Sequence, residues 1–102
     1  MTGKKILEHA EEAFRPDVRA HADGNFRIAL EMARAIRAEL AALFRAAGII
    51  NREQEISDDT AHELAAGLRE RAEAYARLGK DDRRFQIKSG LASLAELLSR
   101  TH

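Results

Sequence analysis

The run from Phe26 to Ala47 most limits what this chain can fold into, because it is about six helical turns long and carries two low-polarity faces. At about 100° per residue, Phe26, Ala29, Leu30, Ala33, Ile36, Leu40, Leu43, Phe44 and Ala47 gather into one broad stripe. Ala35, Ala38, Ala42 and Ala46 form a shallow ridge on the far side. A helix that is apolar on one side has one neighbour. This one is expected to have neighbours on two, as the centre of the domain or the meeting surface of a dimer.

The chain has 102 residues, enough for one domain with its own core. With 45% hydrophobic and 33% charged residues it is neither disordered nor membranous. No apolar run approaches the roughly 18 residues that cross a bilayer, and MTGKKILEHAEEAF lacks the apolar segment of a signal peptide. A cytoplasmic location is expected. The absence of cysteine excludes disulfides, thiol catalysis and thiolate metal sites. Seventeen basic and seventeen acidic residues cancel, which argues against non-specific polyanion binding by the whole surface. Arginine dominates the basic set; it favours bidentate contact with carboxylate and phosphate, although Ala and Arg also rise together in chains from GC-rich genomes.

Residues 4–14 read as a short helix with Ile6, Leu7, Ala10, Ala13 and Phe14 inward. Pro16 disfavours helix at Arg15 and starts a separate turn over 16–22. Asp23-Gly24-Asn25 is a turn, with Asp23 or Asn25 as cap of the long helix. That helix stops at Gly48 in the left-handed position, with Ile49 and Ile50 folding back. A third helix starts at Ser57 or Thr60 and buries Ala61, Leu64, Ala65, Leu68, Ala72 and Tyr75 before ending at Gly79. A fourth runs from Asp81-Asp82 to about Ser99 with Ile87, Leu91, Leu94, Ala95 and Leu98 inward. Short connections make neighbouring helices antiparallel. The expected fold is therefore all-α: an up-and-down bundle of three long helices and a short N-terminal one, dimeric.

Thr60, Gly67 and Ala74 fall seven apart and make a groove of small side chains. Gly67 and Gly90 each cost about 1 kcal/mol inside a helix, which close approach of another backbone would offset. Arg37 interrupts the stripe of the long helix. It either fixes register against a partner's carboxylate or covers the core edge with its stem while its guanidinium reaches water. Arg27, Arg34, Arg37 and Arg45 share one flank, the arrangement phosphate recognition needs, but Glu31 sits one turn from Arg27 and Arg34 and would neutralise half of that row.

Asp17 with His21, Asp58 with His62, and His9 with Glu12 have the spacing of a two-ligand metal edge. Asp17 and Asp58 are also where first-turn acids are expected on dipole grounds, and the inward positions are apolar, so no metal or cofactor is expected. Neither a nucleophile elbow nor a glycine-rich phosphate loop is present. Tyr75 reads as a core ring with its hydroxyl at the edge.

Two short stretches resemble known families. Gly24-Asn25-Phe26-Arg27-Ile28-Ala29 resembles the second half of a tetratricopeptide repeat, but no copy follows 34 residues on. Phe85-Gln86-Ile87-Lys88-Ser89-Gly90 resembles the phosphoacceptor helix of histidine-phosphotransfer domains, with Phe85 in place of the histidine, which implies no phosphotransfer. Neither assigns the chain.

The expected function is a non-catalytic interaction module, an adaptor, chaperone-like or regulatory protein acting as a homodimer. Its expected interface is Ala35, Ala38, Ala42 and Ala46, with Thr60, Gly67 and Ala74 as a second surface. The alternative is a nucleic-acid-associated regulator using Arg27, Arg34, Arg37 and Arg45.

Overall fold

The computed structural model describes residues 1–100 as helices α1 (Gly3–Ala22), α2 (Phe26–Ala46), α3 (Asp58–Tyr75), α4 (Arg83–Gln86) and α5 (Lys88–Ser99). Among the described residues there is no strand, only an isolated bridge between Thr2 and Glu55. The fold is all-α. The N-terminal helix is not short, however, and the C-terminal one is divided at Ile87.

Pro16 does not end α1; it sits inside it, solvent-exposed. The buried positions Ile6, Ala10, Phe14, Asp17 and Ala22 keep helical spacing across the proline. Phe14 and Asp17 both dock on α5, on either side of Pro16 in sequence. Proline inside a helix costs about 3 kcal/mol, and anchoring on both sides offsets it. Thr2 caps α1 through the Lys5 N–H. Asp23 takes the left-handed C-terminal position, and Asn25 caps α2 by accepting from the Ile28 N–H at 3.1 Å.

The centre of the molecule is α5, not α2. Its Leu91, Leu94, Ala95 and Leu98 are completely buried, together with Ile87 just before it. They meet Ala61, Leu64, Ala65, Leu68 and Ala72 of α3 on one side and α1 on the other. Ser57 caps α3 by accepting from the Thr60 N–H. The stripes expected for these two helices face inward as read.

The break at Ile87 has a physical cause. Ile87 has no side chain able to cap α5. The carboxylate of Asp17, 73 residues away on α1, supplies the cap by accepting from the Gly90 N–H at 2.6 Å. An acceptor and negative charge at a helix N-terminus are both favourable. Gly90 is needed here because a Cβ would collide with the Phe14 ring. Upstream, Asp82 caps α4, and the Gln86 amide bonds back to the Lys80 carbonyl at 3.0 Å.

Helix α2 lies at the edge. Its core-facing positions are Met32, Glu39, Leu40 and Leu43, centred roughly 65° around the helix from the middle of the expected stripe, with which they share Leu40 and Leu43. Phe26 is 79% exposed, and Leu30, Ala33, Arg37 and Ala41 are also exposed. Polar ties hold α2 on its inner side. Glu39 accepts from the Tyr75 hydroxyl at 2.9 Å and pairs with Arg71, both on α3. Glu31 pairs with Arg83 of α4 at 3.2 Å. Leu43 packs on Gly67, where a Cβ would stand 2.7 Å from its methyl.

Candidate functional site

Much of the α2 stripe that leaves the core faces a groove of about 1020 Å³ along α1. The α1 wall is Leu7, Ala10, Glu11, Phe14, Arg15, Val18, Arg19 and Ala22. The α2 wall runs from Phe26 through Ala29, Ala33, Ile36, Arg37, Leu40 and Ala41 to Phe44. Ile49 and Ile50 close one end. Ile49 folds back and is buried, while Ile50 is 86% exposed, so only one of the pair makes the expected hydrophobic contact.

Both walls repeat at three- and four-residue intervals because each is one face of a helix. From Leu7 to Ala22 the groove follows about four turns, roughly 22 Å of helix. Small side chains, Ala29, Ala33 and Ala41, leave its middle shallow-walled, and Phe26 and Phe44 stand at the ends of α2. Phe26 and Ile50 are two of the most exposed large apolar side chains among the described residues, and Leu30 follows one turn beyond Phe26.

The charges along this groove are unequal. It holds four arginines, Arg15, Arg19, Arg37 and Arg52, and a single acid, Glu11. None of the four makes an ion pair among the described residues, whereas Arg27, Arg71, Arg83, Arg84 and Arg100 do. The chain as a whole is neutral, so the groove concentrates positive charge.

The alanine ridge is divided between two environments. Ala35 packs against the core and Ala42 is half-buried, while Ala38 and Ala46 are exposed. On α3, Ala74 is exposed and Thr60 half-buried beside Ser57. Gly67 is occupied by Leu43 of the same chain, which accounts for that glycine without a second copy. The arginine row is likewise split. Arg27 pairs with Glu31 at 3.4 Å, Arg34 and Arg45 are exposed, and only Arg37 reaches the groove. Glu31 neutralises Arg27 as expected, but its second partner is Arg83 rather than Arg34.

Two buried polar groups were not legible as such. Asp17 has metal-edge spacing to His21, but its carboxylate turns to the Gly90 N–H. Burial raises its pKa above the ordinary carboxylate value, against the lowering effects of the Gly90 N–H, His21 and Lys88. Glu39 carried no sequence signal beyond being a lone acid between two apolar faces. Burial raises the Tyr75 hydroxyl pKa, and the Glu39 carboxylate raises it further. Burial works to lower the Arg71 pKa, but the hydrogen bond and charge of Glu39 outweigh it and the net shift is upward. Both clusters hold helices together, and both lie outside the groove lining. Among the described residues no group of three or more His, Cys, Asp or Glu side chains is placed to hold a metal ion. No helix among them is long and apolar enough to cross a membrane.

Compared with protein family models, curated proteins and solved structures, the chain shows no significant match to any.

Proposed function

We propose that this protein is a non-catalytic helical interaction module that receives the apolar face of a second helix in the groove between α1 and α2. The observation that carries the reading is the position of the α2 stripe. A sequence with helical apolar periodicity from Phe26 to Phe44 normally turns that whole face into its own core, yet here Leu40 and Leu43 are buried while Phe26, Leu30 and Ala33 stay exposed. An exposed apolar patch of this continuity is characteristic of a protein-binding surface. Walls at three- and four-residue spacing suit the ridges of another helix, the helix-in-groove mode of recognition. The buried acids support the non-catalytic part of the reading, since Asp17 and Glu39 are engaged in joining helices.

A second copy of the chain is the competing occupant, and it is the one the homodimer reading requires. Sedimentation velocity of the wild type separates the two. A monomer is expected at micromolar concentration; a dimer broken by Ala33→Glu would assign the groove to self-association. The docking itself is tested with an 18-residue amphipathic helical peptide whose flanks are uncharged. Binding to the wild type that is lost in Ala33→Glu, with the melting temperature unchanged, is the expected result. Absence of binding to the wild type, or equal binding to the variant, would remove the groove as a docking surface.

A further inference from the structure

The charges along the groove narrow its occupant further, given the docking role just proposed. Arg15 and Arg19 stand one turn apart on the α1 wall, Arg37 lies on the α2 wall, and Arg52 follows Ile50 at the end. All four are exposed and none is ion-paired among the described residues. Their only acidic companion in the lining is Glu11. An occupant whose apolar face meets Ala29, Ala33 and Ile36 brings its flanking side chains beside these guanidiniums. Acidic flanks would be attracted and basic ones repelled. We propose that the groove selects an amphipathic protein helix whose apolar face is bordered by aspartate and glutamate.

The same charges disfavour self-docking. Helix α2 leaves Phe26 and Leu30 exposed, and its outer flank carries Arg27, Arg34 and Arg45. Laid into a second copy, it would bring them towards Arg15 and Arg19. Helix α3 is acidic, with Asp58, Asp59, Glu63, Glu70 and Glu73 exposed, but its apolar stripe is already buried against α5. Helix α1 carries exposed Glu8, Glu11 and Glu12, but its Ile6, Ala10, Phe14 and Ala22 are buried and Leu7 and Val18 half-buried, and Arg15 and Arg19 lie on the same helix. These charges favour a different protein as the partner over a second copy of the chain. A nucleic acid would meet the arginines but has no helical apolar face to offer the floor between them.

Three peptides with one apolar face and glutamate, glutamine or lysine flanks test the idea against the full-length chain. The glutamate peptide is expected to bind about tenfold more tightly than the lysine peptide at low salt, from two or three exposed ion pairs. The preference should shrink in 0.5 M NaCl, where screening is strong. Arg15→Gln with Arg19→Gln should bring the glutamate and lysine peptides to nearly equal affinity with thermal stability unchanged; Glu11→Gln should strengthen glutamate-peptide binding. Equal affinity for the three peptides, or preference for lysine, would overturn the charge selection and leave the groove reading standing. Failure of all three to bind would overturn both. A duplex oligonucleotide that competes with the glutamate peptide and is lost in the same double variant would reassign the arginines to phosphate.

Discussion

Helices α5 and α2 differ in where their apolar residues go. In α5 every inward leucine is buried among α3 and α1, and even the N-terminal cap comes from another helix, through Asp17. In α2 two glutamates are tied to Arg71, Tyr75 and Arg83, while Phe26, Leu30 and Ala33 of the apolar stripe face outward. One helix spends its apolar surface on stability. The other adds polar ties to the burial of Met32, Leu40 and Leu43 and leaves part of its stripe exposed.

Substitutions sharpen this contrast. Leu94→Ala in α5 should lose about 2–5 kcal/mol in urea unfolding, because a fully buried leucine leaves a cavity. A loss below about 1 kcal/mol would show that α5 is not the centre of the core. Glu39→Ala should cost about 1–3 kcal/mol by stranding Arg71 and Tyr75. Replacing Glu39 and Arg71 together with leucine should recover part of that loss. No loss in the single variant would mean that polar ties do not hold α2.

Asp17→Ala should cost about 1–2 kcal/mol as a lost helix cap, and Asp17→Asn less, since an amide oxygen still accepts from Gly90. The pH dependence has a definite sign. The Asp17 pKa is raised by burial, so its titration contributes stability that is fully present below the unfolded value of 3.8 and lost as pH rises through the folded value. The stability of Asp17→Asn relative to wild type should therefore be highest near neutrality and fall towards acid pH. An unchanged difference across that range would show that Asp17 titrates as in the unfolded chain.

A smaller effect is optical. Tyr75 is the chain's single tyrosine and there is no tryptophan, so ultraviolet titration reads that hydroxyl alone. Its midpoint should lie above the ordinary value of 10, and Glu39→Gln should bring it down. A wild-type midpoint at 10 would dissolve the Glu39–Tyr75 contact. Least of all, Phe26→Ala should change stability by about 0.5 kcal/mol or less, as an exposed residue does. A loss comparable to Leu94→Ala would place Phe26 in the core and erase the contrast between the two helices.

Where one apolar stripe stands alone, its direction was legible. Ala61, Leu64, Ala65, Leu68 and Ala72 point inward as periodicity requires, and Ser57 caps them. Tyr75 is half-buried with its hydroxyl on Glu39, as a core-edge ring should be. On α2 two low-polarity faces competed, and Met32 and Glu39, between them, turned inward together with Leu40 and Leu43 of the stripe. The stripe's apolar character was readable. Its exposure was not.

The chain's own order of residues determined that it is helical, where most caps fall and which faces are apolar, because these depend on neighbours within a few turns. Tertiary structure alone decided that Pro16 stays inside α1, that Asp17 caps α5, and that Phe26, Leu30 and Ala33 of the α2 stripe are left open. Each of these follows from groups far apart in sequence meeting in space: Phe14 and Asp17 on α5 hold the helix through its proline, and Glu39 on Arg71 and Tyr75 sets the rotation of α2. Periodicity gives a helix its faces, but packing and charge across the whole fold choose which of them the solvent sees.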